Sequence, residues 1–379
     1  MHTDPWFGRF WFWRGPSAAD LSGRLNFLDA LRGMAAFSVM LFHFYVPSVS
    51  PVHAELSAVF PSAVGRVFEQ MYCGVDVFFV LSGFVISFSM HGHVANLRYA
   101  GNFIVRRSLR LDPPYWVALT LMLGYYVAFW PSMWHDFYVT FGGLRGIAAN
   151  FFYVQNLPFI YPAKSILDVS WTLCLEVQFY LSYLLILVVG YWVSRLPLRG
   201  GRLLRDAFVF LAVGAVGIWS FTCWIRNPSS DFAGRSWTFF LGVGVFAALR
   251  WRVPVLLAGL PLAGLVVLFI WEQQTHGIAT AVTAAAIFVA GVFGRLTTLL
   301  AFRPLLHLGK ISYSIYLIHS VVGVNLLSQL APAVAGSPPA AFGAWGLAVG
   351  LSLLAAELLH RTVEAPSNRL SQRLKPRRA

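Results

Sequence analysis

Long apolar segments recur along almost the whole sequence, separated by short polar stretches. There are ten, at about 28–47, 71–90, 113–131, 170–193, 207–225, 236–250, 254–271, 278–294, 308–330 and 341–360. A helix needs about 20 mostly apolar residues to cross the hydrocarbon core of a bilayer. Only 11% of the residues are charged, whereas soluble domains carry about 25%. The sequence therefore predicts an all-α, multi-pass transmembrane bundle of about ten spans.

The basic residues are distributed unevenly between the two sides of this predicted bundle. With a cytoplasmic N-terminus, 22 of the 28 Lys and Arg residues fall on the inner side and 5 on the outer side. Cytoplasmic loops carry an excess of Lys and Arg. We therefore expect both termini in the cytoplasm and interpret the net charge of +13 as a topology signal. No nucleic-acid partner is expected.

The ends of the chain differ in composition from the part between them. Residues 1–24 mix aromatic and basic side chains and are predicted to lie at the inner membrane surface. Residues 25–365 form the predicted membrane domain, and residues 366–379 form a basic cytoplasmic tail. The three cysteines are far apart and lie in or beside apolar runs, so we expect neither a disulfide framework nor a metal site.

The first span carries two polar side chains on one helical face. Arg32 and His43 are eleven residues apart, which leaves them within about 20° of one face and ~16 Å apart along the axis. Titratable groups are costly inside a bilayer and often mark a functional site. The structural alternative is that His43 packs between helices and bonds to a neighbouring carbonyl.

Three further polar residues, Asp76, Glu176 and His319, lie inside predicted spans. A rise of ~1.5 Å per residue puts them, with His43, between the midplane and the outer third of the membrane. Each has a structural alternative: Asp76 can cap its span or neutralise a cation, and Glu176 can pair with Gln178 or with a tyrosine. We favour a shared site, because polar groups this deep must face the bundle interior.

Two other polar sets flank these residues. Ser312, Tyr316 and His319 recur at i, i+4 and i+7 and so share one helical face, where they either line a cavity or bond to other helices. Arg107 and Arg110 precede the third span one turn apart. Together they can grip an anion such as a phosphate, and the alternative is that they only signal topology.

Six motifs, in order along the chain, resemble those of acyltransferase family 3, the polytopic bacterial acyltransferases related to enzymes that O-acetylate surface polysaccharides. They are L-D-A-L-R-G with Arg32-x10-His43, Y-C-G-V-D-V-F-F-V-L-S-G-F-V-I, R-R-S-L-R-L, S-W-T-L-C-L-E-V-Q-F-Y, L-G-K-I-S-Y-S-I-Y-L-I-H and V-E-A-P. The last differs by one residue from the E-R-P common in the family. Residues from about 195 to 300 carry no such motif.

This resemblance implies a donor, an acceptor and a location. The donor is a cytoplasmic acyl-coenzyme A, commonly acetyl-CoA, and the acceptor is a hydroxyl of a glycan or lipid-linked sugar at the outer face. The protein is then expected in the bacterial inner membrane. Arg107 and Arg110, with Arg32 deeper, are expected to hold the phosphates of CoA.

The catalytic roles follow from the same residues. His43 is expected to be the general base, because an ordinary histidine pKa of ~6.5 suits proton transfer near neutral pH. Glu176 would orient His43, stabilise its charged form or take the proton itself, and Asp76 is a weaker candidate for that support. The candidate substrate-binding residues are Trp171, Tyr180, Ser312, Tyr316 and His319.

Several alternatives stay open at the level of sequence. Transfer could be direct, or His43 could first form an acyl-imidazole. A proton-coupled transporter would use the same buried His, Glu and Arg groups as a relay, although the sequence has no apparent internal repeat. A non-catalytic envelope scaffold would not need a buried Arg–His stripe. The acceptor could be polysaccharide, peptidoglycan, a glycolipid or a small secreted metabolite, and the oligomeric state is not predicted.

Overall fold

The regular structure of the chain is helical. The computed structural model describes residues 24–129, 139, 141–157, 165–196, 201–226, 231–251 and 253–374. Within these ranges the regular elements are helices, and none is a β-strand. This confirms the predicted all-α class. The predicted surface segment 1–24, apart from Arg24, and the last five residues of the predicted basic tail lie outside the described residues.

Fifteen α-helices are found in the described ranges. They are α1 Asn26–Tyr45, α2 His53–Val59, α3 Ser62–Gln70, α4 Gly74–Met90, α5 Leu97–Phe129, α6 Gly143–Phe151, α7 Ser170–Val193, α8 Gly201–Arg226, α9 Phe232–Arg250, α10 Val255–Trp271, α11 Thr275–Val292, α12 Arg303–His319, α13 Asn325–Val334, α14 Pro338–Leu359 and α15 Ala365–Arg373. A 3-10 turn, Met71–Cys73, precedes α4. Two π-helical turns, Ser320–Val324 and His360–Glu364, follow α12 and α14.

Eight helical stretches of the described chain are long and apolar enough to cross a membrane. They are Asn26–Tyr45, Ser62–Met90, Ser170–Val193, Gly201–Arg226, Phe232–Arg250, Thr275–Val292, Arg303–Val334 and Pro338–Arg373. The other two predicted spans also fall on helices. One is α10, which has 17 residues, and the other is α5, which contains arginines and two internal prolines. The chain is therefore a multi-pass membrane protein by length and composition.

The helices form two compact units. The first unit takes in the described residues up to Ala35 and those within Cys73–Gly92 and Phe210–Lys310. The second takes in the described residues within Ala36–Tyr72 and His93–Val209 and those from Ile311 onward. Because α1, α8 and α12 pass from one unit to the other, each contributes one end to each unit.

The first unit is built around α4, α9 and α11. A Cβ atom on Gly83 of α4 would overlap the backbone carbonyl of Phe239, and one on Gly242 of α9 would overlap the carbonyl of Val80. Small residues allow membrane helices to approach until their backbones touch. The two glycines therefore bring α4 and α9 together closely, and buried Phe84 packs in the core beside them.

The second unit contains the end of α1 together with α5, α7, α14 and the end of α12. Its tightest crossing involves the π-helical turn after α12, where a Cβ on Gly323 would overlap the ring of Phe44. The same Cβ would lie 2.7 Å from the hydroxyl of Ser352 on α14. Gly323 thus lets the last turn of α1 pack directly against the chain that follows His319.

Candidate active site

His43 of α1 and His319 of α12 meet in the second unit. His319 is completely buried, and His43 is half-buried. The Nε2 atom of His319 lies 3.2 Å from Nδ1 of His43, and the ring centres are 5.0 Å apart. The two histidines, for which the sequence predicts a similar depth in the membrane, are therefore in direct contact.

The hydrogen bonds of the two rings fix where their protons lie. Nδ1 of His43 is 2.7 Å from the carbonyl oxygen of Val39, and Nδ1 of His319 is 2.9 Å from that of Ile315. A carbonyl only accepts, so both Nδ1 atoms carry a proton. Two N–H groups do not face each other across 3.2 Å, so Nε2 of His319 is unprotonated and accepts from His43.

This arrangement leaves one nitrogen of His43 for chemistry. A neutral imidazole has one proton, and in His43 it is on Nδ1, so Nε2 carries a lone pair. Among the described residues no hydrogen bond engages that atom. His43 therefore presents a nitrogen that can take a proton or attack a carbonyl, while its other nitrogen is held by Val39 and His319.

A turn before α7 lies close to the two histidines. The carbonyl of Val169 accepts from the hydroxyl of Tyr316 at 3.2 Å, and that hydroxyl also lies 2.6 Å from Oγ1 of Thr172. The rings of Tyr316 and His319 are 6.1 Å apart. Asp168, directly before Val169, interacts electrostatically with His43. Sequence reasoning missed Asp168, because it lies just outside the apolar segment.

Arg107, Glu176 and Tyr180 form a second cluster in the same unit. Nη2 of Arg107 lies 2.6 Å from Oε1 of Glu176, and its guanidinium lies 5.5 Å from the centre of the Tyr180 ring. The carboxylate of Glu176 is therefore engaged by Arg107. In the described chain no hydrogen bond joins Glu176 to His43, and Asp168 is the acidic residue whose charge acts on that ring.

Two further sets of polar contacts join α12 to other parts of the second unit. Tyr313 donates to the carbonyl of Leu111 at 2.8 Å, and Ser314 donates to Oε2 of Glu364 at 2.7 Å. His360 lies 3.0 Å from the same oxygen, within the π-helical turn that closes α14. The V-E-A-P motif thus supplies a buried carboxylate that ties the end of α14 to α12.

The remaining predicted site residues occupy the expected helices. Arg32 lies on α1, as does His43, in one uninterrupted helix. It is half-buried and has no hydrogen-bond or ion-pair partner among the described side chains. Arg110 lies one turn beyond Arg107 on α5, half-buried. Trp171 is half-buried on α7, and Ser312 is buried on α12.

Asp76 lies in the first unit with partners of its own. Its Oδ1 is 3.2 Å from Nη1 of Arg235, and its Oδ2 is 2.7 Å from Nδ1 of His276. Asp76 is completely buried and Arg235 is nearly so. Both carboxylate oxygens are therefore occupied by groups of α9 and α11. This pattern favours the structural alternative, in which Asp76 neutralises a cation.

Sequence reasoning missed Arg235 and His276 for an identifiable reason. The predicted spans began at residues 236 and 278, whereas α9 and α11 begin at Phe232 and Thr275. A span predicted from hydrophobicity stops at the first charged residue. The helix itself can continue past that residue when its charge is paired with another group. The available signal was Asp76 itself, since a buried carboxylate requires a cationic partner.

The described part of the chain contains no group of three or more His, Cys, Asp and Glu side chains placed to hold a metal ion.

Comparison with known proteins gives a consistent result. The peptidoglycan O-acetyltransferase OatA of Listeria monocytogenes is 27% identical, over 85% of this chain and 56% of its own length. The putative peptidoglycan O-acetyltransferase YrhL of Bacillus subtilis is 28% identical, over 89% of this chain and 54% of its own. Nodulation protein 10 of Rhizobium leguminosarum bv. viciae is 28% identical, over 83% and 87%. No solved structure matches the chain.

The chain spans a little over half the length of the two peptidoglycan O-acetyltransferase relatives. The family model for acyltransferase family 3, described as an acyltransferase domain, matches residues 25–357. That range contains both histidines of the His43–His319 pair and the Arg107 cluster. The chain therefore belongs to acyltransferase family 3.

Proposed function

We propose that this protein transfers an acyl group, commonly acetyl, from cytoplasmic acyl-CoA to a hydroxyl of a cell-envelope glycan or glycolipid. The observation that carries this proposal is the open Nε2 of His43, on a ring whose Nδ1 is held by Val39 and His319, in a chain of acyltransferase family 3. The peptidoglycan O-acetyltransferase relatives support a glycan acceptor. The bacterial inner membrane is the location consistent with these relatives and with the membrane-spanning helices.

The donor end of the site is assigned to the arginines of α5. CoA carries several phosphate charges, and arginine binds phosphate with two parallel hydrogen bonds. Nε of Arg106 and Nε of Arg107 are both buried without a partner in the described residues. Such atoms are costly to leave unsatisfied, so they fit a site that an anion completes. Arg110, one turn further along α5, would extend it, with Arg107 exchanging its contact with Glu176 for a phosphate.

His43 is assigned the central step. In direct transfer, Nε2 removes the proton of the acceptor hydroxyl as the oxygen attacks the thioester carbonyl and CoA leaves as the thiolate. In the two-step route, Nε2 attacks the thioester carbonyl and CoA leaves as the thiolate; the acceptor oxygen then attacks the acyl group on Nε2, its proton passes to solvent and the C–N bond breaks. Both routes use the same open nitrogen, and in both the Val39 carbonyl holds the ring in one tautomer.

The acceptor side is assigned from the positive-inside prediction. With both termini in the cytoplasm, His43 and the turn holding Asp168 would be nearer the outer face, and α5 would start on the inner side, from which Arg107 reaches Glu176. This separation suits a donor from the cytoplasm and an acceptor outside. Trp171, Ser312 and Tyr316 remain candidates for contacts with the substrate.

The direct test is acyl-dependent release of CoA. Purified full-length protein is incubated with labelled acetyl-CoA, and free CoA and labelled product are measured with and without muramidase-digested peptidoglycan. We expect release of CoA that is abolished in His43→Ala. Absence of CoA release from the wild-type protein would reject the acyltransferase assignment.

The transporter alternative is tested by the same preparation. A carrier that used the buried histidines as a proton relay would move protons or solutes without breaking a thioester. The family match favours the enzyme, because a transporter has no need of a thioester donor site.

A further inference from the structure

We propose that the start of α5 binds the adenine base of the acyl-CoA donor, and that Asn102 selects this base by accepting a hydrogen bond from its amino group. The side chains involved are Tyr99, Asn102 and Arg106, which we call the α5 strip. The inference rests on the proposed function and extends it, because the arginines assigned above bind only phosphates, which all nucleotides carry.

The α5 strip lies on one face of its helix. Tyr99, Asn102 and Arg106 fall within about 60° of one another, and the two ends of the strip are ~10.5 Å apart along the axis. The start of the helix is fixed, since the backbone N–H of Tyr99 donates to the side chain of Asn96 at 2.8 Å, as in an N-cap. The positive-inside prediction puts this end of α5 on the cytoplasmic side, where acyl-CoA is supplied.

The helix α15 covers one side of the strip. Nδ2 of Asn102 donates to the carbonyl of Leu374, directly after α15, at 3.1 Å. The hydroxyl of Ser371 on α15 donates to the backbone carbonyl of Arg106 at 2.7 Å. Both contacts lie within the second unit, so the amide of Asn102 is held in one orientation beside α15.

Aromatic rings line the other part of the strip. The rings of His93 and Tyr99 are stacked with their centres 5.1 Å apart, and the ring of Phe103 follows Tyr99 one helical turn along, at 6.5 Å. Phe103 in turn contacts the ring of Tyr180 on α7, at 6.1 Å. His93 and Tyr99 are half-buried, so part of the stacked pair is accessible to a flat apolar group such as a nucleotide base.

Two polar atoms of the strip lack partners. The carbonyl of Leu374 only accepts, so Nδ2 of Asn102 is directed toward it and Oδ1 occupies the other branch of the amide. This Oδ1 atom and Nε of Arg106 are both buried without a hydrogen-bond partner in the described part of the chain. Buried polar atoms are costly to leave unsatisfied. The strip therefore fits a ligand that brings a donor to Asn102 and an acceptor to Arg106.

The nucleotide of CoA matches this set in kind and in order. An asparagine side chain recognises adenine by accepting from its 6-amino group and donating to N7. Nδ2 has two hydrogens, and the bond to Leu374 uses one of them. Guanine and hypoxanthine carry an oxygen in place of the 6-amino group, so Oδ1 would face a second acceptor. The ribose separates the base from the phosphates, which directs the phosphates toward Arg106.

The contributions of the ring and of the amide are different. Stacking of a base on an aromatic side chain is tolerant of the identity of the base, whereas the hydrogen bonds of an asparagine distinguish one base from another. We therefore assign affinity for the base to Tyr99 and selectivity for adenine to Asn102.

The test compares CoA with its deaminated analogue, in which hypoxanthine replaces adenine. Each unlabelled compound displaces labelled CoA from the full-length protein in detergent, which gives two dissociation constants. Wild type should bind CoA at least about fivefold more tightly than the analogue. In Asn102→Leu the ratio should fall to about one, because leucine has a similar size and no polar atom. Gln372→Leu removes an exposed amide from α15 and should keep the wild-type ratio.

Replacement of Tyr99 separates affinity from selectivity. Tyr99→Ala should weaken the binding of both compounds by a similar factor, about fivefold or more, and Tyr99→Phe should recover most of that affinity. Because both constants are measured on one preparation, their ratio does not depend on the folded fraction of a variant.

Two results would overturn the proposal: equal affinity of the wild-type protein for CoA and the analogue, or an Asn102→Leu variant that keeps the wild-type preference. The proposed function is tested separately by release of CoA from acetyl-CoA. Binding of CoA with the adenine preference, but without release of CoA from acetyl-CoA, would overturn the proposed function and support the adenine site.

Discussion

Each unit of the protein buries titratable groups, but the two sets differ in how they are satisfied. In the first unit, Asp76 has both oxygens engaged by Arg235 and His276. In the second unit, His43 has one nitrogen engaged by Val39 and His319. Its other nitrogen has no hydrogen-bond partner in the described chain.

This difference distinguishes a structural cluster from a reactive one. A buried carboxylate with two partners ties three helices together, and its charge is compensated. A half-buried histidine with one tautomer fixed and one nitrogen open is prepared to accept a proton. Polar residues at the same predicted depth, which the sequence could not separate, therefore differ in the contacts that surround them.

The largest effect on activity is expected from the replacement of His43. His43→Ala should lower CoA release by about 10²–10⁴-fold, the usual contribution of a general base. The thermal unfolding transition in detergent should remain near that of wild type, since the ring is only half-buried. His53→Ala is the matched control, because His53 also bonds a backbone carbonyl in the second unit. Near-normal release of CoA by His43→Ala would contradict the interpretation that the second unit holds a reactive cluster and the first a structural one.

The next effect concerns the stability of the first unit. Asp76→Asn leaves Arg235 buried without a compensating charge, and breaking such a pair costs about 3–5 kcal/mol. We expect a clearly lower unfolding temperature in detergent, whereas Glu272→Gln, at an exposed position of the same unit, should have little effect. A variant of wild-type stability that has lost transfer would show instead that the Asp76 cluster takes part in the reaction.

A third prediction concerns the donor end of the second unit. Arg107→Ala combined with Arg110→Ala should weaken acetyl-CoA binding by about tenfold or more, since charge-assisted hydrogen bonds contribute ~1.5–3 kcal/mol each. Equilibrium binding of labelled CoA measures this directly. Arg98→Ala removes an exposed arginine from the start of the same helix and serves as the control. Unchanged affinity in the double variant would leave the pair as a topology signal.

The smallest effect on activity is expected from the replacement of His319, the partner of His43. His319→Phe keeps a ring but removes the nitrogen that accepts from His43. Because the Val39 carbonyl still holds Nδ1, we expect about a tenfold loss of rate at most, in keeping with one lost hydrogen bond. Ser320→Ala, which removes a hydroxyl 3.4 Å from His319, should be close to wild type. A complete loss in His319→Phe would place His319 among the reacting groups.

Much of the fold could be predicted from the sequence, because a membrane span requires a long apolar segment. Each of the ten predicted segments overlaps a helix. The errors lie at the ends, as in α9 and α11, where a paired charge extends the helix beyond the apolar run. The π-helical turn after His319 has no hydrophobic periodicity of its own and could not be anticipated.

The site was predictable as a set of residues but not as a set of contacts. The depth estimate grouped His43 with Glu176 and Asp76, yet depth alone cannot say which side chains face each other across helices. The structure pairs Glu176 with Arg107 and brings His319 to His43. These pairings depend on which faces the helices present, and at Gly323 the absence of a side chain leaves room for Phe44 of α1 to pack against the chain after α12.

The most direct test of the central claim uses sealed vesicles that contain the purified protein in known orientation. Labelled acetyl-CoA is supplied on the side that carries Arg107, with muramidase-digested peptidoglycan on the other. We expect free CoA to appear on the donor side and labelled glycan on the opposite side, with both lost in His43→Ala. Intact acetyl-CoA after prolonged incubation of the wild-type protein would contradict the assignment of His43 to acyl transfer.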